Sequence, residues 1–425
     1  MLRKLGIFEK AMLIANKHAP FNIVSVLRLK NAPSPEIVEG ALKALQERQP
    51  LLRAHIVDKR KKAFFEAFSS PELPFHVIKR TSKEQWRDIA EEEMAFRYDH
   101  RTKPLFRAIY LYNNRDAELI LNVHHAIMDA TSGMNLLNEL LCLCAGDISD
   151  LSPLSFAPAM EDRFPSPHQG LGRAFKKATF ALAQMSDMTR YLWRTRDKRR
   201  PAVKFGGRGH IKTLILPEDL VDSLARRGRK KGITLNSLLN AALMLATNRH
   251  LYENQPATMR TFSFANMRPH TQPPTPPEPL ANYISLLGYT ADISENMDFW
   301  ELARNIHEKI YHSLKFGDKF SASLMSESLL KMLTKTKFMR FGATALNYSS
   351  HVPLRTEYAN IKLVGLHGFV SGYDLGPEIA SQARLFNDEI WWDFIYLDTD
   401  MDANLAEDII VEIKLILEKA SQKQV

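Results

Sequence analysis

The sequence NVHHAIMDATSG at residues 122–133 places two adjacent histidines and, after three further residues, an aspartate. Residues 117–123 before it form a β-prone run, and residues 134–141 after it have the spacing of an amphipathic helix. Because neighbours on a strand point to opposite faces, only one of His124 and His125 can face a cavity, while the other packs or hydrogen-bonds. Imidazole has an ordinary pKa of about 6.5, so the cavity-facing ring can take up and return a proton.

Asp129 has two available roles at this strand end. Its carboxylate can orient the imidazole, or it can pair with a cation and hold the turn between strand and helix. We expect the hydroxyls of Thr131 and Ser132 to cap the helix, which brings the positive end of a helix dipole near the site. The plainer interpretation is two satisfied strand-end histidines and an aspartate that makes a turn.

Length and composition bound the class of protein. The 425 residues, 45% of them apolar, suffice for two domains or one large one with substantial cores. No apolar run reaches the roughly 18 residues of a membrane span, and the N-terminus lacks the apolar core of a secretory signal. Cys142 and Cys144 would point in different directions on one helix, which disfavours a disulfide or a metal pair. We therefore expect a protein of the reducing cytoplasm.

Strand and helix signals alternate along the chain, which favours an open mixed sheet covered by helices. A proline-rich loop, with six prolines among residues 269–279, interrupts the second half. The main predicted strands are 23–29, 104–111, 117–123, 210–217, 259–269, 280–284 and 341–350; the main predicted helices are one that begins at Pro35, 235–251 and 405–420; a hairpin is predicted to turn at Asn387 and Asp388.

Residues 172–196 are compatible with a helix, and residues 196–231 carry most of the chain's net positive charge. The helix bears Phe175, Phe180, Met185, Met188 and Trp193, which indicates either contact with a membrane or lipid substrate or packing on the core. Residues 196–231 hold twelve Lys and Arg against four acidic residues. This basic segment indicates a solvated surface, nucleic-acid binding or attraction of an anionic acyl carrier. The candidate docking residues for phosphate or a carrier are Arg226, Arg227, Arg229, Lys230 and Lys231.

The histidine motif resembles the HHxxxD signature of the CoA-dependent acyltransferase superfamily. This superfamily includes chloramphenicol acetyltransferase, plant BAHD acyltransferases, peptide synthetase condensation domains and mycobacterial polyketide-lipid acyltransferases. The family pattern usually continues with glycine, where this chain has Ala130. The segment PLLR at residues 50–53 resembles the condensation branch, and the plant-type DFGWG motif is absent. The chain is therefore more similar to the condensation and lipid-acyltransferase branch.

The resemblance implies an α/β (α+β) fold of two chloramphenicol-acetyltransferase-like lobes, each a mixed sheet with helices, and an active-site tunnel at their interface. The corresponding division is an N-terminal lobe at residues 1–170, a crossover helix and basic linker at 171–209, and a C-terminal lobe at 210–425. Each lobe would supply half of the site, so a monomer would hold a complete one.

Site roles also follow from the resemblance. The candidate catalytic residues are His125, His124 and Asp129, with His125 as general base. The segment around residues 266–283 resembles the family's "N.R....(G)NY" pattern, which implies that Arg268 pairs with Asp129 as a structural anchor. The candidates for the tunnel wall or for oxyanion stabilisation are Asn347, Tyr348 and Ser349.

The implied activity is transfer of an acyl group from a thioester, either acyl-CoA or a phosphopantetheinyl acyl carrier protein, to an alcohol hydroxyl, which forms an ester. The alternatives are an amide-forming condensation enzyme and a non-catalytic module that binds carrier proteins. We expect no metal, no permanently bound cofactor and no nucleic-acid partner. Peripheral contact with a membrane is compatible with the helix at residues 172–196.

Overall fold

A computed structural model describes residues 2–60, 62–69, 72–148, 151–194, 204–336, 340–372, 374 and 376–422. The strands are β1 (Leu2–Lys4), β2 (Asn22–Lys30), β3 (Ala54–Lys59), β4 (Lys62–Ala67), β5 (Phe75–Lys79), β6 (Phe106–Tyr112), β7 (Asp116–His124), β8 (Gly209–Leu216), β9 (Ala257–Asn266), β10 (Ile284–Ile293), β11 (Thr344–Ser349), β12 (Glu357–Tyr358), β13 (Ile361–Val370), β14 (Ile379–Phe386) and β15 (Glu389–Leu397). The α-helices are α1 (Ile7–His18), α2 (Pro35–Arg48), α3 (Gln85–Ala95), α4 (Ala130–Ala145), α5 (Gly170–Arg194), α6 (Glu218–Lys231), α7 (Leu235–Leu251), α8 (Phe299–Lys315), α9 (Asp318–Thr336) and α10 (Ala403–Ser421).

The first large sheet has the strand order β12-β13-β2-β7-β6-β5 and carries the histidines at the end of β7. Only β5 and β6 are parallel; the other neighbours are antiparallel. Every β7 residue after Asp116 is buried, because α2 and α4 share a core with one face of the sheet and Trp86 of α3 packs on the other. This two-sided cover explains why residues 117–123 are apolar except for Glu118 and Asn122, which are buried as well.

Strand β13 belongs to the C-terminal half of the chain but pairs with β2 in this first sheet. Its register runs from Lys362 opposite Lys30 to Val370 opposite Ile23. Residues 357–370 thus lie in the sheet of the N-terminal half, although they fall within the range 210–425 assigned to the C-terminal lobe. Where one lobe ends and the other begins stays a prediction.

The second large sheet has the order β10-β9-β11-β14-β15-β8. Helices α6, α7, α8 and α10 pack on one face, where Trp392 and Phe394 of β15 share their apolar core. Trp391 and Ile395, which point to the opposite face, pack instead with residues of the first sheet. Helix α7 has the predicted bounds and is buried nearly all round, as its encircling apolar residues indicate.

The two mixed sheets and the helices on them confirm the predicted α/β fold class. Within the described ranges, none of the helices combines the length and apolar character that a bilayer span requires. The predicted helix at 172–196 is α5, whereas residues 195–203 of the predicted basic linker lie outside the described residues. Phe180 of α5 is buried, while Phe175 and Trp193 are 73% and 72% exposed, so the helix has both a packed and an open face.

Candidate active site

Asp129 ends the turn between β7 and α4 and caps the helix itself. Its carboxylate Oδ1 accepts the backbone N–H of Ser132 at 2.9 Å, and the Ser132 hydroxyl lies beside the same turn. The helix begins at Ala130, so Thr131 lies inside it and the expectation that its hydroxyl caps α4 was wrong. The Ser132 hydroxyl does contribute to the cap, because it accepts the backbone N–H of Asp129 at 3.4 Å. Ala130 is the first helical residue and has no positive φ, so alanine fits where the family pattern usually has glycine.

The two histidines point to different environments, as the strand alternation predicts. The His124 ring is buried against the edge of Tyr98, and its Nδ1 accepts the backbone N–H of Ala126 at 3.1 Å. That bond leaves the proton on Nε2, and burial lowers the pKa of His124 to about 3. His124 is therefore neutral at physiological pH and is not among the residues that line the cavity.

His125 lies on the wall of a large cavity. Its Nδ1 is 3.2 Å from the carbonyl oxygen of Met128, which can only accept, and 3.2 Å from the amide nitrogen of Asn282, whose shorter bond goes to the His125 carbonyl. The hydrogen bond to Met128 assigns the proton of the neutral ring to Nδ1 and the lone pair to Nε2. The side chain of Asn282 donates to the His125 carbonyl at 2.6 Å, and Phe21 stacks on the ring at 5.3 Å between centroids. Burial lowers the pKa of His125, which keeps the imidazole neutral and able to accept a proton.

Arg268 and Asp129 form a buried ion pair between the two halves of the chain. Nη1 of Arg268 donates to Oδ2 of Asp129, which also accepts the backbone N–H of Tyr283 at 2.7 Å. The second terminal nitrogen of Arg268 donates to the carbonyl of Ala281 at 3.2 Å, so the pair is not a bidentate fork. Among the described residues, the Asp129 carboxylate makes no hydrogen bond with His125. Its bonds to Arg268, Tyr283 and Ser132 suit a residue that anchors the start of α4.

The cavity beside His125 has a volume of about 560 Å³, within the range of ligand pockets. Its walls come from both large sheets and from α1, α5 and α9, and they are mostly apolar. Seven methionines contribute to them, and their flexible thioether side chains can adapt to ligands of different shape. These methionines are Met12, Met128, Met134, Met185, Met188, Met325 and Met332.

Strand β11 brings two of its three candidate residues to the cavity. Asn347 and Ser349 line it, whereas Tyr348 points to the other face and packs against the core of the second sheet. The side-chain nitrogen of Asn347 donates to Gln382 at 2.8 Å. Period-two alternation along the strand explains the separation of Tyr348 from its neighbours.

The five basic candidates of α6 do not line the cavity. They belong to a helix on the outer face of the second sheet, whereas the cavity lies on the inner face. Arg227 donates to the carbonyls of Ser421 and Gln422, and Lys231 lies over the ring of Trp300 at 5.2 Å. Their role in docking a carrier stays a prediction.

Sequence reasoning missed three groups that contact or support His125: the Met128 carbonyl, the Asn282 side chain and the Phe21 ring. Only Asn282 had a signal, since it precedes Tyr283 in the Asn-Tyr pair of the motif that carries Arg268. Sequence reasoning also missed Arg260, a buried arginine of β9 on the cavity wall that does not contact His125.

Comparisons with known proteins agree with this architecture. Two chains of the linear gramicidin synthase of Brevibacillus parabrevis are similar in sequence to this one. The first is 24% identical over 323 residues, which is 73% of this chain and 6% of that protein. The second is 26% identical over 271 residues, which is 58% of this chain and 5% of that protein. The chain therefore spans only a small part of the length of these relatives.

Two solved structures have the same fold at low sequence identity. Polyketide synthase associated protein 5 from Mycobacterium tuberculosis superposes with a TM-score of 0.70 at 17% identity, over 99% of this chain and 98% of that one. The TRI3 trichothecene 15-O-acetyltransferase from Fusarium sporotrichioides gives a TM-score of 0.77 at 12% identity, over 98% and 95%. The family model described as "Condensation domain" matches residues 10–318, most of the chain. The match and the two-sheet architecture lead to one conclusion: the chain belongs to the condensation domain family.

Proposed function

We propose that the protein is an acyltransferase that moves an acyl group from a thioester to an alcohol hydroxyl, with His125 as general base. The observation that carries this proposal is the ring of His125, which lines the apolar cavity with Nδ1 bound to the Met128 carbonyl. Nε2 is then the only ring nitrogen with a free lone pair, and among the described residues it has no hydrogen-bond partner.

In the proposed reaction the acceptor hydroxyl lies against Nε2 of His125 and attacks the thioester carbonyl. The imidazole takes the hydroxyl proton as the new C–O bond forms, and the carbonyl oxygen becomes a tetrahedral oxyanion. Asn347 and Ser349 are the candidates to face that oxyanion, since both line the cavity. Collapse of the intermediate breaks the C–S bond, and the imidazolium returns its proton to the leaving thiolate.

Asp129 and Arg268 have a positioning role in this proposal. Their buried ion pair fixes the start of α4 to the segment that holds Asn282 and Tyr283. Asn282 in turn holds the backbone of His125. The pair thus keeps the base in place across the two halves of the chain without taking part in proton transfer.

The comparisons with known proteins support the choice of a thioester donor and of a hydroxyl acceptor. Membership of the condensation domain family favours a carrier-bound thioester as donor, whereas the 15-O-acetyltransferase with the same fold favours a hydroxyl acceptor. We propose the hydroxyl, with acyl-CoA or a phosphopantetheinyl carrier as donor. The five basic residues of α6 remain candidates for docking a carrier, which would then bind on the outer face.

Release of free thiol is the test. The purified protein is incubated with acyl-CoA and a panel of alcohols and amines, and thiol is followed with a chromogenic reagent. His125→Ala should lose at least about 100-fold in rate, the lower range for removal of a general base. His351→Ala, at an exposed position outside the cavity, is the matched control and should keep the wild-type rate. Normal turnover by His125→Ala would exclude His125 as the base; no thiol release with any donor and acceptor would favour a non-catalytic binding module.

A further inference from the structure

Arg260 is a buried cation on the wall of the cavity. Its side chain is 3% exposed, and its Nη2 donates to the side-chain oxygen of Gln184 on α5 at 2.6 Å. Nε and Nη1 have no hydrogen-bond partner, and among the described residues no carboxylate forms an ion pair with this guanidinium. Asp187 attracts it only from farther away, and burial lowers the pKa of Arg260. A buried charge without a counterion in hydrogen-bond reach is costly, and an anion in the cavity would offset that cost.

The strands place Arg260 at the end of an apolar row. On β9 the residues Phe264, Phe262 and Arg260 line the cavity, and on β10 Ile284, Leu286 and Gly288 line it beside them. Alternation along each strand puts every second residue on this face. Arg260 precedes Asn266, the register partner of Ile284, by six positions, which corresponds to about 20 Å of strand. Asn282, which binds the backbone of His125, comes two residues before Ile284 and so lies near the Asn266 end of this strand pair. Arg260 lies toward the other end, far from His125 along the cavity wall.

The surroundings of Arg260 leave room for its guanidinium. A Cβ on Gly288 would lie 2.7 Å from Nη2, so the absence of a side chain at this position lets the guanidinium lie against β10. The ring of Phe262, which the same Cβ would also meet at 2.7 Å, lies 5.3 Å from the guanidinium carbon. Gln184 ties α5 to both strands here: its side-chain oxygen accepts from Arg260 of β9, and its side-chain nitrogen donates to the Gly288 carbonyl of β10.

We propose that Arg260 is a subsite for a carboxylate at the far end of a long, apolar substrate. The inference rests on the proposed function, and it narrows the substrate class to molecules with a reactive group near His125 and an anionic end separated from it by an apolar chain. The carboxylate can belong to the acyl group, as in a thioester of a dicarboxylic acid, or to the acceptor, as in a long-chain hydroxy acid. In either case it would accept hydrogen bonds from the guanidinium of Arg260, whose unpartnered nitrogens are buried and would turn toward the carboxylate when it binds.

Binding of two matched probes tests the site without any turnover. Monomethyl dodecanedioate has one free carboxylate, and dimethyl dodecanedioate has none. By calorimetry the wild-type protein should bind the monomethyl ester at least about 10-fold more tightly, the size of one charge-assisted hydrogen bond. Arg260→Met should remove this preference, and Arg260→Lys should keep part of it. Arg190→Met, at an exposed ion pair on α5, is the matched control and should keep the full preference.

Equal affinity of the wild-type protein for the two probes would overturn the proposal, and so would a preference that survives in a folded Arg260→Met protein. The His125→Ala variant should bind the monomethyl ester with the same preference as the wild type, although it loses thiol release. Binding at Arg260 and catalysis by His125 are then tested independently. Turnover then identifies the source of the carboxylate. An Arg260-dependent preference for dodecanedioyl-CoA over its methyl ester assigns it to the acyl group, and one for ω-hydroxydodecanoate over its methyl ester assigns it to the acceptor.

Discussion

Replacement of Asp129 by asparagine tests whether this carboxylate is an anchor. The fully buried carboxylate accepts three N–H donors: Nη1 of Arg268 and the backbone amides of Ser132 and Tyr283. Asparagine removes the negative charge and turns one acceptor into a donor that faces other donors. Arg268, which is 2% exposed, would then be a buried charge without a counterion.

The expected cost is about 3 to 5 kcal/mol in the free energy of unfolding, the range for breaking a buried pair by removing one partner. Since single domains are stable by only about 5 to 15 kcal/mol, the change should be a large downward shift of the urea midpoint, measured by tryptophan fluorescence. The double variant Asp129→Asn/Arg268→Met, which removes both charges, should recover part of the loss. Asp147→Asn, which breaks an exposed pair with Arg355, should leave the midpoint nearly unchanged.

The pH dependence of the remaining activity separates an anchor from a catalytic relay. The Asp129 carboxylate does not hydrogen-bond to the His125 ring, and its charge is the smallest of the influences on the pKa of that ring, which it raises. The acid limb of the rate profile of Asp129→Asn should therefore move only slightly, to lower pH. An unchanged urea midpoint together with a strongly displaced acid limb would refute the anchor and show that Asp129 acts through the imidazole.

Two further predictions concern the buried histidines. Burial lowers the pKa of His125, so kcat/KM should stay level as the pH falls to about 6.5 and decline only below it; a profile measured from pH 4 to 8 that inflects above the ordinary imidazole pKa would contradict this. For His124 the folded pKa is about 3, below the unfolded value, so its stabilising contribution is present above about 6.5 and declines as the unfolded chain takes up a proton. The contribution should fall by about 1.4 kcal/mol per pH unit in that window, so urea midpoints from pH 7.5 to 5 should fall less steeply in His124→Asn than in the wild type.

Local signals in the sequence predicted the elements that carry the histidine motif. The β-prone run of residues 117–123 and the helical spacing after it correspond to β7 and α4, and α7 has the predicted bounds. The hairpin between β14 and β15 turns at Asn387 and Asp388, both with positive φ, which asparagine and aspartate tolerate better than most residues. These features depend on neighbouring residues only, so periodicity and turn chemistry suffice to predict them.

Features that depend on distant partners were not predictable in the same way. The strand expected at residues 280–284 begins only at Ile284, because the Tyr283 amide donates to the Asp129 carboxylate and the Asn282 side chain binds the His125 backbone. Nothing in residues 361–370 indicates that they pair with β2. Arg260 follows apolar neighbours in a strand, and only the assembled cavity reveals that it lacks a counterion.

The pairing of β13 with β2 has a consequence for anyone who divides this polypeptide. A fragment that stops before β13 keeps β2 but lacks the strand that pairs with its residues 23–30. That side of β2 then becomes an open sheet edge. Open edges of apolar strands recruit other chains, so such a truncated piece should aggregate when expressed alone. Co-expression with the remaining piece should restore solubility, because the missing strand can then be supplied in trans.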